Sequence, residues 1–146
     1  MGGVRKITAV EMNKDQVELA RKYPVFNGGI YIDLSNVKII VDDGRNFPKR
    51  QSEKYDVIML SLPLTNTSRS LEGYASTENF LITTDCLCDY LDHLTGGSLV
   101  FVGHNDAEIL RLLSISLTAL KRTGVAEAEA MNRICIVGSD DYLVFC

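Results

Sequence analysis

Four polar residues close or follow apolar runs in this chain: Glu11 behind residues 6–10, Asp43 behind residues 37–41, Ser61 behind residues 55–60 and His104 behind residues 98–102. In open parallel sheets ligands bind outside the carboxyl ends of the strands, so these are the positions that can meet one. A carboxylate such as Glu11 offers two acceptor oxygens, which suits the paired hydroxyls of a ribose and costs little in desolvation at a wet rim. Capping of a helix that starts near Lys14 is the competing explanation of Glu11. Asp42-Asp43-Gly44 lets a carboxylate accept from the exocyclic amine of a purine while the glycine admits a flat ring close to the backbone. A tight turn accounts for the same three residues. Glu11 and Asp43 end successive strands, and together they carry more than either alone. Ser61 is a weaker chemical tool, because a hydroxyl near neutral pH is no general base without a partner.

The elements that would position these residues alternate along the chain. Residues 6–10, 37–41, 55–60 and 98–102 read as strands, and residues 15–22 and 106–122 as amphipathic helices, the pattern of a largely parallel sheet covered by helices. Asp15 at the front and Arg21 and Lys22 at the back suit the dipole of the first helix, and Pro24 closes it. Gly44 breaks the second strand, with a short helix expected over 45–50. The third strand is apolar without alternation, which predicts a central strand buried on both faces. A polar loop spans 63–76. Thr77 then caps a helix through Phe80, Leu81, Leu87, Tyr90, Leu91 and Leu94, which Gly96-Gly97 ends. Residues 133–137 and 142–146 read as a closing antiparallel hairpin around Gly138-Ser139-Asp140-Asp141.

With 146 residues, 46% of them hydrophobic, the chain suffices for one domain with a real core, expected over 1–146. Its formal charge of -4 gives no electrostatic reason to expect nucleic acid. No apolar run approaches the length of a membrane span, and the N-terminus lacks a signal-peptide pattern. Cys86, Cys88, Cys135 and Cys146 lack metal-ligand spacing, and the i, i+2 pair Cys86 and Cys88 does not share a helix face. Free thiols and no metal are the expectation. There is no internal repeat or linker. The first strand candidate begins just behind Met1-Gly2-Gly3 and the last ends at Cys146, as expected of a piece of a longer protein.

Several segments carry a family resemblance: Ile7-Thr8-Ala9-Val10-Glu11-Met12-Asn13, Arg21-Lys22-Tyr23, Val41-Asp42-Asp43-Gly44-Arg45-Asn46-Phe47 and Tyr55-Asp56-Val57-Ile58. It continues through Glu72-Gly73-Tyr74, Thr77-Glu78-Asn79-Phe80-Leu81 and Tyr90-Leu91-Asp92-His93-Leu94 to Gly96-Gly97, and so covers most of the chain. The sequence resembles the spermidine synthase family and its spermidine-synthase-like relatives. That resemblance implies the fold of class I S-adenosylmethionine-dependent methyltransferases, a three-layer Rossmann-like sheet with a C-terminal antiparallel hairpin. It also implies that Glu11 holds the ribose, Met12 packs on the adenine, Asp43 and Gly44 meet the adenine amine, and Tyr74 contacts a second substrate.

Two departures from the family pattern stand out. Aminopropyltransferases place an aspartate behind the strand that matches residues 55–60, where it helps deprotonate the attacking amine, and this chain has Ser61-Leu62-Pro63-Leu64 there. The family's first strand and glycine-rich turn should lie upstream of Lys6, where only Gly2-Gly3 stands, so the resemblance implies an N-terminally truncated pocket. The expected function is therefore binding of S-adenosylmethionine, its decarboxylated form or methylthioadenosine, without established catalysis. One alternative is an active methyl- or aminopropyltransferase on a small amine, with Glu72, Glu78 or Asp106 as base. The other is a noncatalytic domain that contacts a partner or regulates an attached, even membrane-borne, segment. A cytoplasmic setting, or the cytoplasmic side of a membrane protein, and a homodimer built on open strand edges complete the expectations.

Overall fold

In a computed structural model, residues 3–29, 34–61, 80–103, 106–138 and 143–145 are described. They fall into two compact units, Met1–Gln51 and Ser52–Cys146.

The first unit is a βαβ arrangement. Strand β1 (Ile7–Glu11) pairs in parallel with β2 (Val37–Val41), with Ile7 opposite Val37 and Glu11 opposite Val41. Helix α1 (Lys14–Lys22) lies between them in sequence and buries Val17. Its N-cap is Asn13, whose side chain accepts from the Gln16 N–H at 3.1 Å, the spacing of a capping box. Glu11 is thus the last residue of β1 and not the cap of α1. Behind β2 the chain turns and enters a short 3-10 helix, Pro48–Arg50, which replaces the longer helix expected over 45–50. Proline at its first position fits, since that N–H has no partner to lose, and Pro48 is buried.

The second unit carries a four-stranded sheet in the order β3-β4-β6-β5. Strand β3 (Tyr55–Ser61) runs parallel to β4 (Leu94–Gly103), while β6 (Leu143–Phe145) is antiparallel to both β4 and β5 (Ile136–Gly138). The closing hairpin read from the sequence is therefore present. Helices α2 (Thr84–Asp92) and α3 (Asp106–Arg122) pack on each other and on this sheet, around a core of Ile82, Leu87, Phe101, Ile109, Leu112 and Ala119. Ile109, Leu112, Ser116 and Ala119 recur at three and four along α3, so one stripe of the helix meets the sheet. The helix closes in a Schellman arrangement: Gly124 takes φ +90, with its N–H on the Lys121 carbonyl and the Val125 N–H on the Leu120 carbonyl.

Three expectations change. Strand β3 is not buried on both faces: Leu60 packs against the core, but Val57 and Met59, on the opposite face, are 58% and 62% exposed. Among the described residues of the second unit β3 is the outer strand of its sheet, and α2 and α3 serve its Leu60 side. Helix α2 starts at Thr84, capped by Thr83, whose hydroxyl accepts from the Cys86 N–H at 3.2 Å. The expected cap, Thr77, lies outside the described residues. The helix ends before the glycines because His93 closes it and the His93 carbonyl accepts from the Tyr55 N–H at 2.8 Å, which draws the chain straight into β4. Gly96 and Gly97 instead form an irregularity in the β3–β4 ladder between Tyr55 and Val57, bound by the Thr95 hydroxyl donating to Asp56 Oδ1 at 2.7 Å. Finally, α4 (Glu127–Asn132) is absent from the sequence expectations, although its Glu-Ala-Glu-Ala run favours a helix.

Candidate functional site

The first unit brings two of the expected ligand residues to one place. Because β1 and β2 are parallel and in register through Glu11 and Val41, Glu11 and Asp42-Asp43 stand at the same, carboxyl, end of neighbouring strands. The Asp42 N–H donates to the Glu11 carbonyl at 3.2 Å, continuing the ladder past β2 and tying the two ends together.

The Glu11 carboxylate accepts from the Asn13 N–H through Oε1 at 2.8 Å, which fixes the side chain over the β1–α1 turn. Met12, between them, is 73% exposed, an apolar side chain held at the rim. Asp43 Oδ1 accepts from the Arg45 N–H at 2.7 Å, and the Asp43 carbonyl from the N–H groups of Asn46 and Phe47. The turn explanation of Asp43 is thus realised in the structure, and it leaves the carboxylate half-buried beside Glu11's strand end. Gly44 is not among the glycines with positive φ, so this turn does not demand glycine on conformational grounds. Glu11, Met12, Asp43 and Gly44 thus follow or end two adjacent parallel strands at their carboxyl ends.

Arg50 stands beside these residues and sequence reasoning does not single it out, whereas Asp42 enters that reasoning only within Asp42-Asp43-Gly44. The Asp42 Oδ1 is 3.0 Å from the Arg50 guanidinium and accepts from the Asp43 N–H at 2.8 Å. Only the three-dimensional turn brings Arg50 back to Asp42. Asn13, by contrast, has a readable signal in its Asn-x-x-Gln spacing.

Ser61 ends β3 in the second unit and is exposed. Tyr74, Glu72, Glu78 and His104 lie outside the described residues, and of Asp106 the backbone alone is described, as the first residue of α3. Cys86 and Cys88 lie within α2, Cys86 buried, Cys88 half-buried and Cys135 exposed, and all three are free thiols. Burial pushes the Cys88 thiol above its ordinary value. Among the described residues no three His, Cys, Asp or Glu side chains cluster as metal ligands, and no helix is long and apolar enough to cross a membrane.

Comparison with solved structures identifies the fold as that of the methyltransferase class. The chain superposes on spermidine synthase from Thermotoga maritima with a TM-score of 0.57, at 19% identity, over 99% of this chain and 46% of that one. A spermidine synthase in complex with the transition state analogue AdoDATO gives 0.56 at 17% identity, over 97% and 44%. SMU.776, classed as a methyltransferase and complexed with SAH, gives 0.54 at 16% identity, over 99% and 39%. These identities speak for the fold alone.

Sequence adds the nearer likeness. The polyamine aminopropyltransferase of Serratia proteamaculans is 45% identical over 58 residues, which is 39% of this chain and 20% of that protein. That of Pectobacterium atrosepticum is 43% identical over 58 residues. The matched stretch spans about a fifth of these curated relatives, at 20% of each. No family model matches the chain. The resemblance to spermidine synthases stands: it is close over part of the sequence, and the methyltransferase-type fold extends through nearly all of it.

Proposed function

We propose that this chain is a nucleoside-binding domain of a spermidine-synthase-like protein, taking S-adenosylmethionine, its decarboxylated form or methylthioadenosine. The observation that carries the reading is the joining of Glu11 and Asp43 at adjacent parallel strand ends through the bond from the Asp42 N–H to the Glu11 carbonyl. In this reading the Glu11 carboxylate accepts from the ribose hydroxyls, Met12 lies against the adenine, Asp43 accepts from the adenine amine, and Gly44 leaves room for the ring. S-adenosylmethionine or its decarboxylated form, when bound, would supply an activated carbon next to a sulfonium sulfur, whereas methylthioadenosine, a neutral thioether, would only occupy the site; the residues named here bind and orient the nucleoside. Tyr74 is assigned to the second substrate by the family resemblance alone.

Support comes from the chemistry of the donor set and from the neighbours named above, whose ligands are SAH and AdoDATO. We assign both units to this one domain, and we assign no catalytic base, since Ser61 lacks the basicity amine activation needs. Calorimetric titration of methylthioadenosine into the chain tests the reading. Saturable binding that Glu11→Gln weakens is expected, and an absence of binding at ligand concentrations on the order of millimolar overturns it.

A further inference from the structure

Asp42 lies between the two residues assigned to the nucleoside, and three contacts link it to its surroundings. Its N–H donates to the Glu11 carbonyl at 3.2 Å, its Oδ1 accepts from the Asp43 N–H at 2.8 Å, and the same oxygen is 3.0 Å from the Arg50 guanidinium. Asp43 in turn accepts from the Arg45 N–H at 2.7 Å. The Asp42 side chain is 16% exposed and that of Arg50 is 62% exposed, so the acceptor is enclosed while the cation reaches it from the solvent side. Most ion pairs with both partners in water contribute little, because solvent competes for each. Here one partner is sheltered, and a sheltered carboxylate deprived of its counter-charge would recruit another donor or reorient toward water.

The geometry points to Arg50 as a positioning residue for the nucleoside site. It orients the Asp42 carboxylate, Asp42 fixes the Asp43 N–H, and the fixed backbone sets the direction in which the Asp43 carboxylate meets the adenine amine. Arg50 acts from the 3-10 helix Pro48–Arg50, which buried Pro48 anchors, and is assigned no contact with the ligand. This inference rests on the proposed function for its ligand, but the chain of bonds from Arg50 to Asp43 can be tested without one.

The test uses the full chain with Arg50→Ala and Arg50→Lys, followed by amide NMR, hydrogen exchange, thermal melting and titration with methylthioadenosine. In the ligand-free chain, Arg50→Ala should shift the Asp43 and Arg45 amide resonances and speed their exchange, while amides in α1 stay as in the wild type and the melting temperature falls by no more than a few degrees. Affinity for methylthioadenosine should fall on the order of fivefold, and Arg50→Lys, which keeps the charge, should restore most of it. Unmoved Asp43 and Arg45 amides in Arg50→Ala overturn the coupling whatever the ligand does. Moved amides with wild-type affinity overturn the positioning role. A wild-type chain that binds no methylthioadenosine overturns the functional reading and the positioning role with it, leaving the coupling to be judged by the amides.

Discussion

In the proposed reading Asp43 does two jobs with one side chain, and the two can be separated by substitution. Asparagine keeps an acceptor oxygen for the Arg45 N–H, now at 2.7 Å, but replaces the second carboxylate oxygen with an amide donor that cannot accept from an adenine amine. Asp43→Asn is therefore expected to leave the urea midpoint near that of the wild type and to weaken methylthioadenosine binding. Asp43→Ala removes both roles and should also cost about 1 kcal/mol of stability. Equal urea midpoints for the two variants would contradict this division. Cys88 supplies a pH dependence. Its thiol is raised above the ordinary 9.0 chiefly by burial, with Arg122 opposing and Asp85, Asp92 and Asp89 reinforcing. The folded chain then keeps a proton that the unfolded chain releases, so stability should decline as pH climbs from about 9 toward the raised folded value and stay level below that. Cys88→Ala should flatten that decline in urea titrations across the same window. At this scale the placement of Glu11 and Asp43 at neighbouring strand ends was legible because strand ends are legible. The Arg50–Asp42 pair was not, since it depends on how the turn at 42–50 is folded and no spacing encodes it.

Elements were read well where one physical signal dominated and poorly where two competed. Residues 37–41 and 106–122 match β2 and α3 because β-branched density in one and three-four periodicity in the other had no rival. In α2 the rival was Gly96-Gly97, which looks like a helix stop, yet the structure uses it inside a strand pair. A Cβ on Gly97 would meet the Asp56 carbonyl oxygen at 1.7 Å, a backbone atom that cannot step aside without breaking the ladder. Gly97→Ala should lower unfolding free energy by about 2–4 kcal/mol, as backbone collisions do. Gly124 offers a contrast of mechanism: a Cβ there meets nothing within 4 Å, but φ is +90. Gly124→Ala should cost only about 1 kcal/mol, from the dihedral alone. Denaturant melts of the two variants side by side would show whether collision or dihedral governs each glycine, and equal losses would refute the distinction.

For the whole molecule, the alternation of strands and helices sufficed to reach a largely parallel sheet covered by helices, because βαβ order restricts the topologies a chain can adopt, and the family resemblance narrowed this to the methyltransferase-type fold. It did not show that the described strands divide between a two-stranded and a four-stranded sheet, since periodicity reports which face is apolar but not which strand bonds to which. Strand β3 shows the result: its composition suits a strand with neighbours on both sides, whereas among the described residues its bonded neighbour in the sheet is β4 alone. An apolar outer edge of this kind invites pairing with another strand, and we expect the chain to self-associate as concentration rises. Met59→Lys, at a residue 62% exposed, should suppress that association in light scattering. A wild-type chain that stays monomeric at high concentration would count against a homodimer.

The place of β6 in the sheet has a consequence for biosynthesis. Among the described strands β6 follows all others in sequence, yet it lies between β4 and β5, and β5 reaches the sheet through it. As the chain leaves the ribosome, residues 136–138 emerge before their hydrogen-bonding partner and must wait, unpaired, until residues 143–145 follow. The second unit therefore cannot complete its sheet vectorially, strand by strand. Its β5 can join only once β6 has emerged, and a nascent chain stalled before Leu143 should remain more open to protease than its length alone would suggest.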